Sequence, residues 1–360
     1  MPIVSIPCCP EEGVEMISER NTAVLRSIIE DFILTNEPVS SKALLERHQF
    51  GVSSATIRND MAVLEEEGYI QAPHTSSGRV PTDKGYRVFV DQMLNAEATA
   101  EIKKNLIELN RLFSKTLDQL TDLDEKLHTS AQLLAKATGE AAVVQYPNLQ
   151  SGSVRAVEFV KISANRVLVI LITEADRIAQ QLVVLSNDIS HDQLGKLKIS
   201  FNQVSAGVSI EALPEKLMNL AAKVSLDSQA TVKALVEGLL VLIKANKQDK
   251  VAFAGASNLV RSEQEFAGGL STLLETFDEG TDIWKVLNLW KIDAETPKAI
   301  IGSENSVHEF STSSLLLSGY SNQGSDLAKV AVLGPTRMNY ARNLAAVLAL
   351  SQLLSKNQED

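Results

Sequence analysis

Residues 53–87 read SSATIRNDMAVLEEEGYIQAPHTSSGRVPTDKGYR, and the fold class turns on them. Ser53 is placed as a helix N-cap, because its hydroxyl can accept from a free amide of the first turn. Ile57, Met61 and Leu64 follow at i, i+4 and i+7 and form one apolar stripe. At about 100° per residue, Ala55 and Asn59 point nearly opposite that stripe, with Thr56 and Arg58 on its flanks. Such a helix buries one side on a small core and offers Ser54, Ala55, Thr56, Arg58 and Asn59 on the other. That face suits the major groove of double-stranded DNA, where Asn pairs with adenine, Arg with guanine or a phosphate, and Ala or Thr with a thymine methyl. Gly68 is expected to end the helix.

A small wing is predicted next. Tyr69-Ile70-Gln71 and Arg79-Val80 are read as two short paired strands around Ala72–Gly78, a polar loop carrying His74, Thr75 and Ser76, with Arg79 at its end. A wing of this kind lies on phosphates or reaches into a minor groove. Pro81-Thr82-Asp83-Lys84 opens a further helix carrying Tyr86, Val88, Phe89 and Val90, and Lys84 and Arg87 join the candidate DNA contacts. Upstream, Val24, Leu25, Ile28, Ile29, Phe32 and Ile33 give Ser18–Thr35 one broad apolar face. Asn36-Glu37-Pro38 breaks that helix. Ser40 or Ser41 caps a second helix, whose N-terminus places Ser41 and Lys42 near phosphate. Three helices followed by a wing make a winged helix-turn-helix over 18–95. A lone amphipathic helix in a globular core accounts for the stripe but not for this order of elements.

The whole chain bounds what such a reader can do. At 360 residues it has room for two or three domains, and 44% hydrophobic with 22% charged residues is ordinary soluble composition. No apolar run approaches the ~20 residues that span a bilayer, so no membrane partner is expected and the cytoplasm is the expected location. The formal net charge of −11 repels phosphate. Within 53–87, Arg58, Arg79, Lys84 and Arg87 face Asp60, Glu65, Glu66, Glu67 and Asp83. Affinity must therefore come from a few placed cations and from two copies acting together. Cys8 and Cys9 are the only cysteines. Being adjacent, they cannot staple distant parts of the chain, and a metal or redox role is not expected of them. Residues 1–17 lack a basic and then apolar signal pattern and are read as a disordered leader. Translation is expected to start at Met16; mass spectrometry finding peptides from before Met16 would show otherwise.

From 96 to 137 the text is charged, Leu-rich and free of Gly and Pro, and Leu106, Phe113, Leu120, Leu127 and Leu134 recur every seven residues. One helix is predicted there. It either links the reader to a partner protomer or next domain, or packs on its own chain's sheet. Strands are predicted at 141–145, 154–162, 166–173 and 177–185, the last three as an antiparallel meander. Helices follow at 190–204, 214–224, 226–245, 263–277 and 282–290, with a short strand at 251–255 among them. Strands return at 298–302, 313–318 and 327–333, and a last helix is predicted from Arg337 to Lys356. Sheet text is thus split by a helical block at about 190–290, which fits a multidomain α+β chain with a mostly helical insertion in its C-terminal domain, 138–356.

The runs EPVSSKALLE (37–46), SSATIRNDMAVLEEEGYI (53–70) and PHTSSGRVPTDKGYRVFVD (73–91), with IIGSEN (300–305) and VAVLGPTRMNY (330–340), resemble the heat-inducible transcription repressor family, HrcA. The resemblance runs from about Ser18 to the end. It implies a GAF-like antiparallel sheet domain carrying an inserted dimerisation segment. It implies a homodimer on an inverted-repeat operator, CIRCE, upstream of chaperone and chaperonin operons, with chaperonin as modulator and release on heat shock.

Catalytic text is thin. There is no phosphate-binding Gly-Lys loop, no Gly-x-Ser-x-Gly elbow and no His-Glu-x-x-His. The five histidines have no metal-ligand spacing, and no cofactor is expected. Ser303-Glu304-Asn305 and Thr336-Arg337 could form a polar cluster of the kind an enzyme uses, but bonding turns and capping the last helix is the preferred reading. The alternative function is a ligand-responsive regulator whose GAF-like domain binds a small molecule.

Overall fold

The computed structural model describes residues 18–73, 78–95, 100–147, 152–174, 178–223, 226–245, 250–266, 270–271, 287, 289–293, 296–322 and 326–356. The leader with Cys8 and Cys9, the loop residues His74, Thr75 and Ser76, and most of the helices expected at 263–277 and 282–290 lie outside them.

The chain opens with helices α1 (Glu19–Thr35), α2 (Ser41–Arg47) and α3 (Ser54–Glu66). Their N-caps are local: Ser18, Ser40 and Ser53 accept from the amides of Asn21, Ala43 and Thr56, each satisfying a donor the helix leaves open. Ser40 rather than Ser41 thus caps α2. Strands β1 (Ile70–Gln71) and β2 (Val80–Pro81) pair antiparallel, and α4 (Asp83–Asn95) follows. Arg79 pairs not with β1 but with Val39 from the α1–α2 loop, through backbone bonds of 2.8 Å in both directions. The turn out of α3 is tight because Gly68 adopts φ +77°, a conformation only glycine takes without cost.

The single helix expected over 96–137 is two helices, α5 (Ala100–Leu117) and α6 (Leu123–Thr138). Asp122 makes the break: its carboxylate accepts from the Glu125 amide at 2.8 Å, so a side-chain cap replaces a turn of helix. Both helices pack inside their own chain. Leu109, Phe113 and Leu117 of α5 and Leu127 and Leu134 of α6 are buried in one core with the last helix, α11 (Tyr340–Lys356). That core also holds Val24, Ile28, Ile57 and Leu64, so no break in packing marks the end of the N-terminal helices.

Strands β3 (Ala141–Gln145), β7 (Val251–Ala254), β8 (Lys298–Ile301), β9 (Ser313–Asn322) and β10 (Asp326–Pro335) form a five-stranded antiparallel sheet in the order β7-β3-β10-β9-β8. Alternation sends Val330 and Val332 to the side of α5, α6 and α11, and Ala331 and Leu333 to the other, under Leu259 of α10 (Ala256–Arg261) and Phe266. Both faces are buried, and apolar residues occupy both, with Ser313, Ser314 and Ser318 of β9 buried among them.

Strands β4 (Val154–Lys161), β5 (Arg166–Thr173) and β6 (Ile178–Val184) do not join that sheet. They form a separate meander whose inner face packs on α7 (His191–Ser205), α8 (Leu213–Lys223) and α9 (Leu226–Ala245), with its own core around Val157, Val169, Leu171, Phe201, Leu235 and Leu239. The insertion expected at about 190–290 therefore begins directly after β3 and contains the meander, and β7 already belongs to the main sheet. Since β3 pairs on both sides, with β10 and with β7, the meander finds no edge there. Among the described residues the last helix starts at Tyr340, not Arg337: Asn339 caps it, accepting from the Arg342 amide at 3.0 Å.

Candidate nucleic-acid interface

Helix α3 is seated by its apolar side and one charged pair. Ile57, Met61 and Leu64 are buried on α1. Beside them Asp60, only 2% exposed, accepts two bonds from Arg20 of α1, at 2.8 and 2.9 Å. A buried carboxylate without such a partner is costly, and the fork fixes the roll of α3 about its own axis. Hydrogen bonding to Asp60, then its charge, raises the Arg20 pKa. Helical period alone does not reveal this pair. The signal for it in the sequence is Asp60, an aspartate between the stripe residues Ile57 and Met61, which demands a partner.

The roll decides what faces out. Ser54, Ala55, Arg58 and Asn59 are exposed, and Thr56 is half-buried with its hydroxyl 2.9 Å from that of Ser53. Arg58 makes no ion pair among the described residues. The structure thus brings five expected residues to one surface.

The other cations are held more tightly. Arg79 donates through Nε and Nη2 to Glu65 Oε2, both at 2.8 Å. Lys84 Nζ donates to the Glu67 carbonyl at 2.9 Å and sits 4.4 Å from the centroid of the Tyr69 ring, so it neutralises the C-terminal end of α3, where carbonyls are left open. Ser41 is half-buried at the start of α2, and the exposed Lys42 keeps a loose pairing with Glu46 at 3.8 Å. Such surface pairs yield readily to a phosphate.

Arg87, expected beside Lys84 among the DNA contacts, is bonded on the sheet side of α4. It spends its guanidinium inside the chain: Nε to Glu304 Oε1 at 2.7 Å, Nη2 to Glu304 Oε2 at 2.8 Å and to the Ala299 carbonyl at 2.7 Å, and Nη1 to Asp91 at 2.9 Å. Burial opposes its charge. The hydrogen bonds and charge of Glu304, with Asp91 behind them, more than offset that and raise its pKa. The Arg87 guanidinium is therefore engaged within the chain, between α4 and the end of β8.

The polar cluster near the strand ends holds turns and the N-terminal helices. Asn305 donates to the carbonyls of Gly302, Phe310 and Ser313. Glu304 also accepts from the Ile301 amide, and Arg337 donates to the Ile33 carbonyl at 2.6 Å. Among the described residues no group of His, Cys, Asp and Glu could hold a metal ion, and no helix is long and apolar enough to cross a membrane.

The model of the HrcA protein C terminal domain matches residues 124–344. The chain is 41% identical over 345 residues to the heat-inducible transcription repressor HrcA of Clavibacter michiganensis subsp. michiganensis, covering 96% of this chain and all of that protein. It is 39% identical to the repressor of the same name from Leifsonia xyli subsp. xyli, over 95% of this chain and 99% of that protein. A crystal structure of a hypothetical protein shares the fold, with a TM-score of 0.61 at 21% identity, over 95% of this chain and 98% of that one. The class is that of transcriptional repressors, not of enzymes. Within it the chain belongs to the heat-inducible transcription repressor family HrcA, and its function is negative regulation of heat-shock genes.

Proposed function

We propose that residues 18–95 are a winged helix-turn-helix that reads the inverted-repeat operator CIRCE in double-stranded DNA, and that the five-stranded sheet with its helices is a GAF-like domain. Ser54, Ala55, Thr56, Arg58 and Asn59 enter the major groove. Ser41, Lys42, Lys84, Arg79 and the loop residues His74, Thr75 and Ser76 lie along the flanking backbone. The observation that carries this reading is the split character of α3: one side is pinned by Asp60 and the stripe, and the other is polar, exposed and led by Arg58, which has no ion pair among the described residues.

The protein acts as a homodimer, and the outer face of the β4-β5-β6 meander supports this. Val160, Ile178, Leu182 and Val184 are exposed there around Leu168, Ile170 and Ile172, an apolar patch of a kind that marks an interaction surface. Two readers fixed to one dimer match the two-fold symmetry of an inverted repeat. The family resemblance supports chaperonin as modulator, release on heat shock and action in the cytoplasm.

The test is binding of the purified protein to a CIRCE duplex and to a scrambled duplex at fixed salt. Wild type is expected to discriminate, and Arg58→Ala to lose about 1–3 kcal/mol of that discrimination per half-site. Equal affinity of wild type for both duplexes, with chaperonin present, would overturn the proposal.

A further inference from the structure

Three of the sequence runs that carry the family resemblance lie far apart in the chain and meet in one place. From the run 73–91 come Asp83, Tyr86 and Arg87; from 300–305 come Gly302, Ser303 and Glu304; from 330–340 come Arg337 and Tyr340. None of these residues contributes to the exposed face of α3. They join the helices that carry α3 to the five-stranded sheet.

The contact is directional. Besides the Arg87–Glu304 fork, the Ser303 amide donates to Asp83 Oδ2 at 2.9 Å. The Asp83 carboxylate lies so close over Gly302 that an added Cβ would be 2.3 Å from Oδ2. The rings of Tyr86 and Tyr340 sit 5.7 Å apart, and the Tyr340 hydroxyl is held 3.0 Å from Ser314 Oγ and donates to the Thr336 carbonyl at 2.8 Å. A second anchor lies on α1. That helix has no basic residue in its last turn, and Arg337 supplies the cation from the far end of the sequence through its bond to the Ile33 carbonyl. Two anchors on different helices, α4 and α1, stop both sliding and rotation, and charged forked bonds hold an angle more strictly than apolar packing does. The exposed face of α3 stays open while both are made, so the contact orients the reader and does not cover it.

We propose that this joint sets the angle of the reading head: Asp83 and Arg87, acting through Ser303 and Glu304, are positioning residues that fix the half-site spacing a dimer accepts. The proposal rests on the operator-reading role given to α3 above. A rigid joint makes binding of the second half-site intramolecular at high effective concentration, and a loose one dilutes it.

The test uses the full chain and three duplexes: CIRCE, CIRCE with its half-sites moved about 5 bp further apart, half a helical turn, and a single half-site. Wild type is expected to prefer CIRCE strongly over the spaced duplex. Glu304→Ala is expected to bind the single half-site within about twofold of wild type, to weaken on CIRCE about tenfold or more, and to lose most of the spacing preference. Arg87→Lys, which keeps the charge and loses the fork, is expected to fall between them and serves if Glu304→Ala does not fold. Wild-type affinity and spacing preference in a folded Glu304→Ala protein would overturn the joint, as would an equal loss on the single half-site, which would mean a role in the reader's own fold. Failure of wild type to prefer a half-site over scrambled DNA would instead overturn the reading of α3, and the joint with it.

Discussion

Phe113→Ala lowers the stability of the chain by about 3–5 kcal/mol, and the loss relative to wild type is the same at every protein concentration. Phe113 is fully buried on α5, between Leu109 and Leu117 and against α11. Removing the ring leaves a cavity in the core that also contains the inner side of the five-stranded sheet, where neighbours on several elements cannot all relax inward. The concentration arm distinguishes the two uses open to a heptad seam. A seam between protomers would make the mutational loss depend on how much dimer is present. A seam within the chain makes it constant. Chemical denaturation at a low and a high concentration, compared with wild type at each, reads the difference. Ile107→Ala, at a position 72% exposed on the same helix, is the control and should stay within about 0.5 kcal/mol. A loss for Phe113→Ala that vanished on dilution would place the seam between two copies.

Gly255→Ala is expected to cost about 2–5 kcal/mol and to loosen the edge of the main sheet. Gly255 links β7 to α10 with φ +88°, a region that L side chains enter at a cost of about 1–2 kcal/mol. An added Cβ would also lie 2.5 Å from the Glu140 carbonyl oxygen, 2.9 Å from Ala135 Cβ and 3.2 Å from Ala141 Cα. Two of those atoms are backbone, so relief requires moving β7 off β3 and breaking the register that sets Ala142 against Ala254. Gly139→Ala isolates the conformational part. Gly139 has φ +76° but nothing within 4 Å of an added Cβ, so it carries only the conformational cost. Thermal melts of the two variants should therefore differ, with Gly255→Ala melting lower. Equal melting would mean that β7 yields at no cost and that its pairing adds little to the sheet.

Much of the first 95 residues was legible because its determinants are local. Ser53 caps α3 through an amide three residues on, Gly68 ends the turn after it, and the Ile57, Met61, Leu64 stripe fixes which side is buried. The same reading failed at 118–122. Without a Gly or Pro the stretch looks continuous, and only the Asp122 cap, with an acidic residue three positions later, marks the break. The two sheets are not separable by strand text: β5 is as continuously apolar as β3, and only the pairing shows that β4 to β6 stand apart from the main sheet. The helical text from 190 onward therefore does not mark where the chain leaves the main sheet, which happens directly after β3.

The candidate site divides in the same way. The residue types on the open face of α3 follow from helical period alone. Whether a given cation is available does not, because it depends on partners elsewhere in the chain. Arg87 and Lys84 sit three residues apart, yet one is bound into the sheet unit by Glu304, 217 residues away, and the other rests on the end of α3. By itself the sequence determined the helices of the first 95 residues, the Ser53 cap, the exposed face of α3 and the family, since each depends on interactions within a few residues or on the order of short runs. Only the tertiary structure decided that the seam of α5 turns inward, that the meander leaves the main sheet, and that Arg87 and Arg337 hold the reader in place. Those outcomes depend on which buried faces and charges meet across distances of up to 304 residues in the chain, and no local period encodes them.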